Sequence, residues 1–406
     1  MDSRGGHGQG PADPHQSRPD LDGAQSRQGK VSDFGKEEGD GCHLNTGSWK
    51  HRKAFQKRLS AWYDRSHRPL PWRKTNDPYR IWVSEIMLQQ TQVNTAVDYY
   101  ERFFERFPTV ELLASAEPDQ VMKSWEGLGY YSRARNLHKA ARLVVQEGTG
   151  IPDTAQELMR LPGIGRYTAG AIASIAFGRR TAVLDGNVIR VLTRLFHVTD
   201  NVSSNSVRER LWNMADGLLP ETRVDRFNQA LMELGALVCR PRPECSECPV
   251  SDFCEARKLG IQTELPVKPP RRAVPHVEVT AGIIWRDKRH CLITLRPPHG
   301  LLGGLWEFPG GKREGDEPLD KCLIREIREE LAVEVEPVKR FCIVNHAYSH
   351  FRITLHVFHC HFEGGTIQCR GVDDFRWVTV KDLDRYAFPA ADRKIIDRLR
   401  NEGGYP

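Results

Sequence analysis

Four cysteines stand within sixteen residues, as Cys239, Cys245, Cys248 and Cys254 in CRPRPECSECPVSDFC. Four thiolates so close can hold zinc or an iron–sulfur cluster, and the spacing alone does not choose between them. Further along, PGGKREGDEPLDKCLIREIREELAV places Glu326, Glu329 and Glu330 at helical spacings of three and four. They share one face and can gather Mg2+ or Mn2+ with hard oxygen ligands; the plainer alternative is a solvated acidic face with an Arg325–Glu329 pair. A third stretch, LPGIGRYTAGAIASIAF, sets Gly163 and Gly165 between two helical patterns. A tight turn there presents backbone N–H groups at a helix N-terminus, as a phosphate requires. Twenty residues beyond Gly165, Asp185 precedes another helix in VLDGNVIRVLTR. Glu85 sits among apolar neighbours in WVSEIMLQQ, where desolvation favours its neutral form.

The elements that must position these residues divide the chain. From Trp49 to about Cys254 amphipathic stretches end at Gly or Pro and restart after Asp or Ser caps, so this part is helical. Asp77 caps one such helix with Pro78 at its first position. The prolines of TELPVKPPRRAVPH mark a linker. Beyond it VEVTAGIIW and CLITLR read as strands, a charged helix follows at 318–331, and further strands occupy about 341–362 and 374–379. The fold class is therefore multidomain: an all-α domain, a Pro-rich linker and an α/β domain.

At 406 residues the chain can bury two or three cores, and no apolar run approaches the ~20 residues that a membrane-spanning helix needs. A net charge of +6 permits nucleic-acid binding through a local patch without arguing for it. One cysteine cluster among otherwise scattered cysteines fits a reducing cytoplasm. The first ~48 residues, rich in Gly, Asp, Ser and Gln, read as a disordered tail without a secretory or mitochondrial leader.

The hairpin, the Asp of LDGNV and the four-cysteine tail together resemble the endonuclease-three superfamily of helix-hairpin-helix base-excision DNA glycosylases. LPWRKTNDPYRIWVSEIMLQQTQV and EGLGYYSRARNL are similar to its adenine-excising branch, the MutY family. The likeness runs from about residue 49 to the C-terminus. It implies that Glu85 is the acid protonating adenine and that Asp185 is the anion facing the oxocarbenium sugar, with Asn187 beside it. It places Trp72, Arg73, Leu88 and Gln229 in the adenine pocket. Gln90 and Tyr130 would enter the base stack, and Gly163, Gly165 and Arg166 would hold DNA backbone. Strand-cutting relatives carry a lysine nucleophile where this chain has Tyr167, so base removal without efficient lyase activity is expected. The resemblance also favours a [4Fe–4S] cluster on Cys239, Cys245, Cys248 and Cys254, although the first gap holds five residues where six are usual.

The acidic stretch resembles the Nudix hydrolase box through Gly311, Glu317, Arg325, Glu326, Ile327, Glu329, Glu330 and Val333, departing at Ala332 where glycine is usual. Adenine glycosylases of this family carry such a domain to read 8-oxoguanine, and AYSHFRI resembles the reading loop, with Tyr348, Ser349 and His350. The expected boundaries are a tail at 1–48, the glycosylase domain at 49–258, a linker at 259–276 and the Nudix-like domain at 277–406. The expected activity is removal of adenine opposite 8-oxoguanine or guanine in double-stranded DNA by a cytoplasmic, nucleoid-associated monomer with no membrane attachment. Two other readings stand beside it: a bifunctional protein that also cleaves free 8-oxo-dGTP with Mg2+ or Mn2+ on Glu326, Glu329 and Glu330, and a thymine-mismatch glycosylase. A DNA-binding module without catalysis is more remote.

Overall fold

The computed structural model describes residues 45–270, 273–348 and 350–405. Most of the expected tail, residues 1–44, lies outside the described residues, as does Ser349. Twelve α-helices fill the first part of the described chain: α1 Arg52–Ser66, α2 Pro78–Leu88, α3 Val93–Arg106, α4 Val110–Ser115, α5 Pro118–Trp125, α6 Ser132–Glu147, α7 Ala155–Leu158, α8 Arg166–Phe177, α9 Gly186–Leu195, α10 Asn205–Gly217, α11 Val224–Leu237 and α12 Glu255–Leu259. Local chemistry explains their limits. The Asp77 side chain accepts the N–H groups of Tyr79 and Arg80 ahead of Pro78, a cap worth about 1 kcal/mol. Gly148 and Gly178 end α6 and α8 in the left-handed conformation.

The helices enclose two cores. One gathers α2 to α8 around Trp82, Phe103 and Trp125; the other gathers α1, α9, α10 and α11 around Phe55, Leu192 and Phe227. In α2, Tyr79 and every residue from Ile81 to Met87 are buried, so this helix runs through the interior rather than along a surface. A polar residue on it is necessarily desolvated.

The second part is a mixed sheet of β1 His276–Trp285, β2 His290–Leu295, β3 Trp306–Glu307, β4 Glu334–Ala347, β5 Arg352–Gly364 and β6 Asp374–Thr379. Its order is β3-β2-β1-β5-β4 with β6 also on β2; β1 and β5 run parallel, with Thr280 opposite His356, and the other pairs are antiparallel. Alternation along the strands serves two faces. Ile283, Ile293 and Val357 pack with Ile395 and Leu399 of α14 (Ala390–Asn401), whereas Ile284, Leu292 and Cys360 pack with Leu323 and Ile327 of α13 (Leu319–Leu331). The domain is thus three layers deep.

The strands expected over 341–362 are β4 and β5, and β4 begins earlier than expected, at Glu334. Polar residues on the solvent side of β4 hid its first half, and α14 was not foreseen at all. The linker is not free chain: Leu265 is buried, its carbonyl accepts Arg194 Nε, and the Val267 carbonyl accepts the Val202 N–H.

Candidate active site

A cleft of about 830 Å³ opens between the two helical cores, large enough for an extruded nucleotide. It is lined by Trp72, Arg73, Glu85, Leu88, Gln90, Gly165, Arg166, Tyr167, Asp185, Asn187 and Gln229, so eleven of the expected site residues meet in one place. Gly163 and Tyr130 lie outside its wall.

Glu85 comes from the buried helix α2 and is 4% exposed. Tyr167, on the first turn of α8, donates its O–H to Glu85 Oε2 at 2.8 Å. Burial, followed by the charge of Asp185, pushes the Glu85 carboxyl up to about 7, against the downward pull of the Tyr167 bond and Arg73. Near neutral pH a large fraction is therefore a carboxylic acid with a proton to give. Tyr167 itself is driven far above its ordinary value by burial and by the two carboxylates, so it remains a phenol.

Asp185 is the N-cap of α9: Oδ1 accepts the Val188 N–H at 2.7 Å and Oδ2 accepts Asn187 Nδ2 at 2.8 Å. Burial raises this carboxyl, while these donors and Arg190 oppose the rise. Both oxygens face N–H donors at a helix N-terminus, which offset part of the cost of burying the anion while the carboxyl stays above its ordinary value. The close approach that brings Asp185 toward Tyr167 depends on Gly170, where a Cβ would lie 2.4 Å from the Ala182 carbonyl oxygen of the segment leading to Asp185.

In the hairpin Gly163 has φ +80° and faces Asn136, so glycine is required there. Gly165, expected to share that role, is extended at φ −91° with open space where a Cβ would stand; only its place as N-cap of α8, without a capping side chain, fits the expectation. Arg166 pairs with Glu209 at 2.8 Å and lies over the Trp212 ring.

Arg73 does not point at the cleft as a free cation. It and Arg68 each make a two-pronged pair with Glu233, which is 1% exposed. Burial alone would raise the Glu233 carboxyl, but the bonds from Arg73 and Arg68 hold it down to about 2. Glu233 and Arg68 both line the cleft and were missed, because a lone Glu in LMELGAL gives no sign of two arginines reaching it from the far end of the domain. Gln229 is held by the Tyr63 O–H at 3.2 Å.

The four cysteines line one small apolar cavity of about 30 Å³ beneath α9. Arg194, 2% exposed, organises it, donating to Cys239 Sγ at 3.3 Å and to the carbonyls of Arg240 and Pro241. Backbone N–H groups of Val250 and of Arg257 serve Cys248 and Cys254. The all-sulfur donor set suits a thiolate-held centre, yet among the described residues no group of three or more His, Cys, Asp or Glu side chains stands in metal-holding geometry.

The acidic face of the α/β domain is differently arranged. Arg325 takes Glu317 at 2.6 Å, Glu326 at 3.1 Å and Glu329 at 3.3 Å. Glu330 Oε2 is buried without a hydrogen-bond partner, and burial with the charges of Glu307 and Glu326 pushes its carboxyl up to about 8. Ala332 ends α13 at φ +56°. In the loop after β4, Tyr348 turns inward, stacking on Phe351 at 4.7 Å, while the exposed His350 brings its ring within 6.5 Å of the Tyr130 ring.

Two carboxyls in one cleft beside a helix-hairpin-helix turn, in a chain that continues into an α/β lobe, fit the class of helix-hairpin-helix base-excision repair glycosylases with an appended NUDIX domain. Residues 83–216 match the HhH-GPD superfamily base excision DNA repair protein family, and residues 280–398 match the NUDIX domain. Adenine DNA glycosylase of Rattus norvegicus is 39% identical over 398 residues, covering 84% of this chain and 77% of that protein. That of Homo sapiens is 38% identical over 400 residues, covering 84% and 73%. A solved thermostable thymine-DNA glycosylase aligns at 31% identity and a TM-score of 0.48, over 52% of this chain and 98% of that one. The chain belongs to the adenine DNA glycosylase family.

Proposed function

We propose that this protein removes adenine paired with 8-oxoguanine or guanine in double-stranded DNA, hydrolysing the N-glycosidic bond without efficient strand cleavage. The observation that carries the reading is the pairing of Glu85 and Asp185 in one cleft with different partners, one buried against a phenol and the other anchored by N–H donors. Protonated Glu85 gives its proton to the adenine ring at N7 as the bond to the sugar breaks and the electron pair leaves with the base. Asp185 stabilises the positive sugar until water adds to it. Trp72 and Leu88 supply the apolar wall, and the Glu233 pair keeps Arg73 in place behind it. Among the described residues no lysine lines the cleft, which supports a monofunctional reaction.

The cysteine cavity is assigned to a [4Fe–4S] cluster held by Cys239, Cys245, Cys248 and Cys254. Its role is structural, fixing the loop that α9 and Arg194 organise. The α/β lobe is assigned to reading the oxidised partner base, with His350 beside Tyr130 supporting that placement. Cleavage of free 8-oxo-dGTP is the competing use of the lobe, and the grip of Arg325 on three of its carboxylates weighs against it.

The test is a panel of duplexes with one A:8-oxoguanine, A:G, A:C or T:G pair. Alkali-labile sites are expected at the first two, with no borohydride-trapped adduct. Preferential cleavage at T:G would transfer the assignment to a thymine-mismatch enzyme. Release of pyrophosphate from 8-oxo-dGTP with Mg2+ would add the hydrolase function.

A further inference from the structure

Arg133 is 7% exposed on the first turn of α6, and among the described residues all its hydrogen-bond partners are neutral oxygens. Its Nη1 donates to the carbonyls of Ile86 and Met87 at 3.0 and 2.8 Å, to that of Gln89, and to Thr91 Oγ1 at 3.1 Å. Its Nη2 donates to the carbonyls of Leu128 and Gly129 at 3.1 and 2.9 Å, while Nε reaches that of Tyr130 at 3.4 Å. The first set is the end of α2 and the turn after it; the second is the loop before α6.

Those two segments carry Gln90 and Tyr130, the residues expected to enter the base stack. Both have positive φ, +59° and +48°, in a region that side-chain-bearing residues adopt at a cost. Such conformations persist only where surrounding bonds over-determine them. The Arg133 guanidinium also lies 5.6 Å from the centre of the Tyr130 ring. A cation desolvated without a carboxylate partner is costly unless its planar fork of five donors is used, and here it is spent on backbone oxygens of two loops at once.

We infer that Arg133 is a positioning residue: it clamps the Gln90 turn and the Tyr130 loop into one rigid two-pronged wedge, which enters the duplex as the adenine leaves. The inference rests on the adenine-excision reading above. It assigns Arg133 no contact with the extruded base, so its loss acts on extrusion and not on the chemistry at Glu85.

Arg133→Lys keeps the charge but cannot span both segments. With 2-aminopurine next to the adenine of an A:8-oxoguanine pair, stopped-flow fluorescence follows unstacking. The variant is expected to slow that phase about tenfold or more, the scale of loss that misplacement of positioning groups produces, while the pH midpoint of excision stays at the wild-type value. An unstacking rate equal to wild type, or a displaced pH midpoint, overturns the clamp. Should Arg133→Lys not fold, Thr91→Val removes one acceptor of the same guanidinium; unstacking at the wild-type rate in that variant overturns it as well. A wild-type protein inert on the A:8-oxoguanine duplex sinks the functional reading and the clamp together. An active wild type with indifferent variants sinks the clamp alone.

Discussion

The helical cleft and the acidic face of α13 both collect carboxylates, and they treat them in opposite ways. In the cleft, Glu85 and Asp185 arrive on different helices, and each finds its own environment: apolar walls and a phenol for one, helix N–H groups for the other. On α13, Glu326 and Glu329 rise from one helix and, with Glu317, share a single arginine. Separate environments drive the proton affinities of two acids apart and so create distinct roles. A shared arginine gives its acids one common cationic partner, whereas Glu330 Oε2 is buried without a hydrogen-bond partner. On the function proposed above, excision belongs to the first arrangement and the second serves as a scaffold.

The largest effect expected is at Glu85. Glu85→Gln removes the transferable proton yet keeps a group that can accept the Tyr167 O–H, and single-turnover excision from an A:8-oxoguanine duplex should fall about 10³-fold, within the range general acids supply. Asp185→Asn should cost a similar factor with binding of the duplex retained. Near-wild-type excision by either variant would break the contrast between cleft and scaffold, because separated environments would then have no consequence.

These roles were legible from the sequence to an uneven degree. Helix positions, the Asp77 cap and the place of Asp185 just before α9 followed from local pattern, since apolar periodicity and capping act over a few residues. Local pattern alone favoured a surface position for Glu85, and only the family resemblance made it a buried acid. Glu233 and Arg133 gave no local sign, because each acts through partners that the chain brings together only on folding: Arg68 lies 165 positions before Glu233, and Ile86 lies 47 before Arg133. The inward turn of Tyr348 was equally hidden, for an aromatic in AYSHF reads the same whether it faces a lesion or stacks on Phe351. The four cysteines were read as one metal site and do line one cavity, without metal-holding geometry among the described residues, while the arginine that organises their loop sits unremarked in the last turn of α9.

Next in size is a pH effect on stability at the same carboxyl. Its folded value of about 7 lies above the ordinary 4.5, so the folded state holds this proton more tightly than the unfolded chain does. The contribution is fully present below the unfolded value and is lost as pH rises through 7. Wild type should lose about 3 kcal/mol between pH 4.5 and 8 through this group, and Glu85→Gln should not. Urea unfolding of both proteins at pH 5 and pH 8 measures it: the variant is expected to gain on wild type at the higher pH. The excision rate should fall over the same window as Glu85 gives up its proton. Parallel stability curves would mean that Glu85 is not the strained acid the cleft makes it.

The smallest effect tests the scaffold side. Ala332 closes α13 at φ +56°, and its N–H still reaches the Arg328 carbonyl, so the turn after the box is made by a residue that pays for the conformation. The left-handed region costs alanine about 1–2 kcal/mol, and glycine's extra freedom in the unfolded chain takes back about 0.4–1. Ala332→Gly should therefore raise stability by up to about 1.6 kcal/mol, read as a small upward shift in Tm. It should leave adenine excision unchanged and bring no pyrophosphate release from 8-oxo-dGTP, because Arg325 still holds Glu317, Glu326 and Glu329 after the turn relaxes. If relaxing this one turn switched on hydrolysis, the acidic face would be a poised metal site held back by backbone strain. The difference between the two regions would then be one of degree.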